Sequence, residues 1–385
     1  MKSVYLDYAA TTPVDREVTE SMLPFFGEIF ANPSSVHTPG QRARAAVEKT
    51  RSSAAALLGA AAEEIIFTSG GTESNNLAVK GLAAARRHLG DHIITSAIEH
   101  HAVLRPCDTL ERQGFRITRL NVDSAGLLDP SDVKKAMTDK TILISIMHAN
   151  NEIGTIQPIE EIGRMARERG VPFHTDAVQT FGHLPIDVSR LNIDALSASA
   201  HKFYGPKGVG FLYLRKGTRI LPQMEGGDQE RNRRASTHNV PGIVGLGKAA
   251  ELAEAGMAAE MKRLTDLRNL AVERILGEIG QAHLNGHPSA RLLNNINVRF
   301  DGVEGEALLF SLDMAGIACS SGSACTSSSV DPSHVLAAMG LARQAAHSSL
   351  RFSLGRGTTD GDIEYLLETL AATVARLRSL SKRGA

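Results

Sequence analysis

From residue 41 onward the chain alternates helical stretches with short apolar, β-branched runs, and this alternation constrains the fold more than any other feature. The first helical stretch is QRARAAVEKTRSSAAALLG, where Gly59 suits a C-cap. The strand-like EIIFT follows, then a helix after Thr72, HIITSA, a helix near 101–113, FRITRLNV, TILISIMH, a helix at PIEEIGRMARERG, and VPFHTDA. Apolar strands separated by helices predict right-handed βαβ units. The expected fold class is therefore α/β, with a doubly wound, mostly parallel sheet covered on both faces.

Beyond about residue 258 the pattern changes to a long charged helix, a strand-like LLNNINVRF, a helix near 304–314, a Ser/Gly-rich stretch and a terminal helix from about 360. A smaller α+β domain is expected there. At 385 residues the chain exceeds what one core usually serves. The expected division is a large domain over 15–257 and a small one formed by 1–14 together with 258–385.

Lys plus Arg (42) balances Asp plus Glu (42), so no net field favours nucleic acid or an anionic membrane surface. No apolar run reaches membrane-spanning length, and MKSVYLDYAATTPVD gains acids and a proline before an apolar signal core could form. A cytoplasmic protein with a small-molecule partner is expected. The three cysteines, Cys107, Cys319 and Cys325, are too few for a disulfide framework and include no C-x-x-C pair, so no metal site is expected.

Ser69-Gly70-Gly71-Thr72 lies between EIIFT and a helix, a place where glycines let backbone approach an anion at a helix N-terminus. It lacks the Walker lysine and the dinucleotide fingerprint. Asp176 ends VPFHTDA, at the strand ends where ligands of open α/β sheets collect. Lys202, in SASAHKFYGPKGVG, stands on a largely apolar background that suits a Schiff-base lysine. Singly, these features read as a tight turn, a cap and a solvated lysine. In this order they match what pyridoxal phosphate requires, namely a phosphate anchor, a carboxylate for the ring nitrogen and a lysine for the aldehyde.

The whole chain resembles the cysteine desulfurase family of fold-type I pyridoxal-phosphate enzymes, from YLDYAATTP to LRFSLGRGTT. The resemblance is carried by NPSSVH, FTSGGTESNN, EHHAVL, HANNEIGT, FHTDAVQ, SAHKFYGPKGVG and SSGSACTSSSVDPSHVL. It implies that pyridoxal 5'-phosphate is the cofactor, with Gly71, Thr72, Ser199 and His201 at its phosphate, Asp176 at its ring nitrogen and Lys202 at its aldehyde. His100 would stack on the ring and shuttle protons, and Asn151 and Gln179 would bond the phenolic oxygen or position the substrate. Arg351 would fork onto the substrate carboxylate, with Asn32 beside it. The implied reaction converts L-cysteine to L-alanine and moves the sulfur to Cys325 as a persulfide.

Cys325 stands in SSGSACTSSS, a run with little side-chain volume to pack, which predicts a mobile, exposed loop over about 320–330. Cys319 and Cys107 read instead as packed thiols. The resemblance further implies a homodimer in which Thr237 reaches the neighbouring subunit's phosphate, and a protein sulfur acceptor such as an iron–sulfur scaffold. The family segment usually reads Gly-Gly-Gly-x-Glu-Arg-Gly-x-Arg-x-Gly-Thr, whereas three of its glycines are here Asp228, Asn232 and Ser236. Asp and Asn tolerate positive φ better than most residues, so the loop is expected to keep its course. A selenocysteine lyase or another enzyme of the class V aminotransferase fold would share Lys202 and Asp176 without needing Cys325.

Overall fold

The computed structural model describes residues 2–321 and 332–381. Its strands in chain order are β1 (Val4–Tyr5), β2 (Ile65–Thr68), β3 (His92–Ser96), β4 (Arg116–Leu120), β5 (Thr141–Ser145), β6 (Phe173–Asp176), β7 (Ala195–Ser199) and β8 (Gly210–Leu214), then β9 (Ala282–Leu284), β10 (Asn295–Phe300), β11 (Ile317–Ala318), β12 (Ser320–Ser321) and β13 (Ser349–Ser353).

A seven-stranded sheet has the order β2-β8-β7-β6-β5-β3-β4. The pairs β7–β6, β6–β5, β5–β3 and β3–β4 are parallel, whereas β8 runs antiparallel to both β2 and β7. Successive side chains of a strand point to opposite faces. Accordingly Ile94, Ile144, Phe211 and Tyr213 enter one core, while their neighbours Ile93, Leu143, Leu212 and Leu214 enter the other. The apolar runs lack a polar face because helices cover both sides. Gly71–Arg86 and His101–Arg112 pack with the second core, and Thr38–Ala56 and Ile159–Glu168 with the first.

A four-stranded antiparallel sheet, β12-β13-β10-β9, lies with Gly305–Met314 and Asp360–Ser381 around a separate core that includes Ile296, Val298, Phe352, Leu366 and Leu370. The chain's start joins it, because β1 pairs in parallel with β11.

The long helix begins well before residue 258. It runs from Val240 to Glu278, 39 residues, placing Ile243 and Leu246 in the large core and Leu267 and Ile275 in the small one. The residue 257/258 division thus falls inside one continuous helix. Its first half is rich in glycine, and close packing against the helix Thr38–Ala56 requires this at one position. A Cβ on Gly247 would come within 2.5 Å of Thr50 Oγ1. Among the described residues no helix is long and apolar enough to cross a membrane.

Candidate active site

The site forms at the carboxyl ends of the large sheet's strands, where a turn can present side chains above the sheet. After β2 the chain turns at Gly70, whose φ of 147° suits glycine alone, and enters the helix Gly71–Arg86. Thr68 and Ser74 hydroxyls bond each other at 2.8 Å, and Ser69 N donates to Glu73 Oε2 at 2.7 Å, which fixes the entry angle. A Cβ on Gly71 would meet Val178 Cγ2 at 2.6 Å, so only glycine lets the helix start lie this close to the residue after Ala177. The first-turn N–H groups and the helix dipole make this end an anion cup.

Asp176 ends β6 and is buried. Its Oδ1 accepts from Val178 N at 2.9 Å and its Oδ2 from Asn75 Nδ2 at 2.6 Å. Lys202 follows β7 on the short turn Ala200–Lys202, and its Nζ donates to the carbonyls of Ala9 and Ala10, both at 2.6 Å. The Lys202 carbonyl accepts from His183 Nε2 at 2.8 Å, which fixes the backbone beneath the amine.

His100 caps the helix His101–Arg112 by accepting Ala102 N–H at Nδ1, 3.0 Å away, so Nε2 carries the ring hydrogen. Burial lowers its pKa, Asp176 opposes that, and the charges of Lys202 and His101 reinforce it. His201, whose Nδ1 lies 3.1 Å from Thr11 Oγ1, is pushed down to about 4 by burial, with Lys202 and Lys207 adding to the shift. Both imidazoles are neutral at pH 7.

Arg351 enters from β13 and is 1% exposed. Its Nη2 donates to Asp7 Oδ1 at 2.7 Å and its Nη1 to the Asn151 carbonyl at 3.0 Å. Its Nε is buried with no partner among the described residues.

Gly71, Thr72, His100, Asn151, Asp176, Gln179, Ser199, His201, Lys202 and Arg351 all line one cavity of about 350 Å³. Asn32, expected beside the substrate carboxylate, is not among its lining residues. Asn32 is exposed, and its Oδ1 accepts from Ser34 N at 2.9 Å within its own turn. Thr237, expected at the neighbouring subunit's phosphate, is exposed and is not among the residues lining this cavity. Cys325 lies outside the described residues. Cys107 and Cys319 are free thiols, both pushed up to about 12 by burial.

Of the three glycine replacements, Asn232 (φ 63°) and Ser236 (φ 90°) do adopt left-handed backbone, whereas Asp228 has an ordinary φ of −78°. Glu230 and Arg231 are left-handed as well. The loop is held by its buried Glu230, which takes a bidentate pair from Arg51 at 2.8 Å, Phe67 N at 2.9 Å and His238 Nε2 at 2.7 Å. Arg234 then clamps it to Glu73 at 2.8 Å, the residue that caps the anion cup.

Several functional residues were missed in the sequence. Asn75 sits one turn into the helix, where spacing from Gly71 puts it on the same end, and that signal was available. Asp7, Ala9, Ala10 and Thr11 lie in YLDYAATTP, a stretch singled out without any role assigned to it.

The anion cup at Gly71 and Thr72, the Asp176 carboxylate and the Lys202 amine line the same cavity, and this donor set fits a phosphorylated pyridine aldehyde. Together with a mostly parallel seven-stranded sheet containing one reversed strand, this defines a fold-type I pyridoxal-phosphate enzyme. The chain belongs to the aminotransferase class-V family, which its residues 4–366 match. It is 56% identical over 380 residues to a cysteine desulfurase IscS of Dictyoglomus turgidum, covering 99% of this chain and 96% of that one. A solved NifS-like protein superposes with a TM-score of 0.91 at 38% identity, covering 98% of this chain and all of that one. The structure of SspA in complex with cysteine matches at a TM-score of 0.82 and 42% identity, covering 91% of this chain and 99% of that one.

Proposed function

We infer that the chain is a pyridoxal-phosphate-dependent cysteine desulfurase that converts L-cysteine to L-alanine and passes the sulfur to Cys325. One observation carries this reading beyond the family: the stretch containing Cys325 leaves and rejoins the described chain at the wall of the cavity. Ser320 pairs directly with Arg351 across β12 and β13, and Ser333 Oγ donates to Glu152, the neighbour of Asn151. His334 Nε2 bonds the carbonyl of Glu99, next to His100, at 2.9 Å.

Pyridoxal phosphate, when bound, supplies the electron sink that loosens the substrate's Cα–H and Cβ–S bonds. The helix start at Gly71 and Thr72, with Ser199 and His201, holds its phosphate, and Asp176 its ring nitrogen. Lys202 is the amine that would hold its aldehyde. Arg351 binds the substrate's carboxylate and so turns its Cβ–S bond toward one side of the cavity. His100 Nε2, the ring atom not committed to Ala102, is the position from which a proton is given or taken. The Cys325 thiolate attacks the substrate sulfur. An S–S bond forms as the Cβ–S bond breaks, the electron pair stays with the carbon fragment, and reprotonation releases alanine.

The working unit of this reading is a homodimer. Thr237 is exposed and does not line its own cavity, which suits a contact with the partner's phosphate, and the Arg234–Glu73 and Arg51–Glu230 pairs hold its segment in place. A protein acceptor, such as an iron–sulfur scaffold, takes the persulfide sulfur. Free thiols at Cys107 and Cys319 suit a reducing cytoplasm. The test is the absorbance of the purified holoenzyme before and after L-cysteine, with alanine and sulfide assayed together. The reading requires equal amounts of alanine and sulfur released, and Lys202→Ala must lose the borohydride-reducible link to the cofactor. Sedimentation showing only a 41.1 kDa species at micromolar protein would remove the dimer.

A further inference from the structure

The N-terminal strap at residues 7–12 touches both Lys202 and Arg351. It lies along β13, with Ser353 N donating to Leu6 O at 2.8 Å and Ala9 N to Ser353 Oγ at 2.8 Å. From there the Ala9 and Ala10 carbonyls reach Lys202 Nζ, Gln179 Nε2 donates to Ala9 O at 3.1 Å, and Thr12 Oγ1 donates to the His201 carbonyl at 3.0 Å. Asp7, at the strap's other end, takes Arg351 Nη2 at 2.7 Å.

Arg351 is a side chain that cannot hold itself in one orientation. Its guanidinium is 2% exposed, so water does not position it, and a buried cation left without a partner is strongly disfavoured. Two acceptors fix its two terminal nitrogens, the Asp7 carboxylate at Nη2 and the Asn151 carbonyl at Nη1. That leaves Nε buried without a partner among the described residues, on a group that lines the cavity. A planar fork with two corners tied has a single orientation, so what Arg351 adds to the cavity wall is fixed with it.

We propose that Asp7 is a positioning residue that sets the enzyme's preference for a substrate bearing a carboxylate, by holding the Arg351 guanidinium in one orientation at the cavity wall. The proposal rests on the desulfurase reading, and it concerns a residue that never touches the reacting atoms. An amide oxygen in place of the Asp7 carboxylate keeps the acceptor for Nη2 but removes the counter-charge, so it should serve in part, whereas a side chain too short to reach Nη2 loses both.

The test follows the cofactor's absorbance in the holoenzyme during titration with L-cysteine and, separately, with cysteamine, which has the same thiol and amine but no carboxylate. For Asp7→Ala the half-saturating L-cysteine concentration should rise at least about tenfold, roughly the loss of one charge-assisted hydrogen bond. The cysteamine value and the absorbance without substrate should not move. Asp7→Asn should shift L-cysteine clearly less than Asp7→Ala does, because it keeps the acceptor though not the charge. If Asp7→Ala fails to fold, Asp7→Ser carries the same expectation, because its hydroxyl is too short. An unchanged L-cysteine value in Asp7→Ala or Asp7→Ser, an equal shift for cysteamine, or an Asp7→Asn as impaired as Asp7→Ala overturns the proposal. A wild-type spectrum indifferent to L-cysteine would overturn the desulfurase reading instead.

Discussion

Asn75 Nδ2 donates a 2.6 Å hydrogen bond to Asp176 Oδ2, joining residues 101 positions apart. The bond ties the helix that begins at the anion cup to the carboxylate at the end of β6, so the two ends of the cofactor's place are set relative to each other. Asn75→Ala leaves a buried carboxylate oxygen unpartnered, a loss of about 1–3 kcal/mol. Equilibrium dialysis should then show pyridoxal phosphate held on the order of tenfold more weakly, and an unchanged dissociation constant would show that Val178 N suffices.

Sulfur transfer is expected to depend on Cys325 alone among the three thiols. In Cys325→Ser the cofactor spectrum should still respond to L-cysteine, while alanine and sulfide production collapse, because a hydroxyl is a far weaker nucleophile and stores no sulfane sulfur. Mass spectrometry of the wild type should find one added sulfur atom on the peptide containing Cys325. Burial keeps Cys319 and Cys107 fully protonated at neutral pH, so Cys319→Ser and Cys107→Ser should keep turnover. A persulfide mapped to Cys319 would end this assignment.

Glu230 should make the protein acid-sensitive. Burial alone would raise its carboxyl, but hydrogen bonds from Arg51 and His238 outweigh that and hold it down at about 2, below the ordinary 4.5. A depressed folded-state pKa gives stability that is present above about pH 4.5 and lost as pH falls toward 2, here on the order of 3 kcal/mol. Glu230→Ala leaves buried Arg51 with only Glu48, 3.3 Å from its Nε, and the Ile65 carbonyl, and should cost on the order of 3 kcal/mol at pH 7 by urea denaturation. The variant's stability should also vary less than the wild type's between pH 5 and 3.

Glu99 should act in the opposite sense. Burial raises its carboxyl to about 8, against hydrogen bonds from Ser96 and Met147 N and with the Asp176 charge adding to the rise. Its contribution is therefore intact below about pH 4.5 and declines as pH climbs toward 8, by up to about 1.4 kcal/mol per pH unit. Glu99→Gln keeps an acceptor for both donors and cannot ionise. It should match the wild type near pH 5 and exceed it in thermal stability at pH 8.5, and equal pH profiles would contradict this.

The two left-handed replacements in the 226–239 segment carry backbone strain. Ser236→Gly and Asn232→Gly should each raise stability, Ser236→Gly by about 1 kcal/mol and Asn232→Gly by less, because Asn visits this region more readily. Asp228→Gly should instead lower it by roughly 0.5 kcal/mol, since its φ of −78° needs no glycine and the unfolded chain gains freedom. Melting temperatures of the three variants decide this.

The large sheet was legible because strands buried on both faces are apolar throughout and stand out between helices. The helix Val240–Glu278 was misjudged at its start, because glycines such as Gly247, which look like helix breakers in sequence, serve close packing against Thr50. Asn32 was placed at the substrate by resemblance, yet its side chain caps its own turn and stays exposed.

What the sequence determined by itself was local chemistry: a glycine turn before a helix, a carboxylate at a strand end, a lysine on an apolar background and an arginine on a late strand. Each depends on neighbours a few residues away, and local pattern records them. Only the tertiary structure decided that Asp7 holds Arg351 across 344 positions, that the Ala9 and Ala10 carbonyls hold Lys202, and that Asn75 holds Asp176. Such contacts are set by how two sheets and a shared helix pack, and no periodicity of the chain encodes which distant acceptor will end up 2.7 Å from a buried donor.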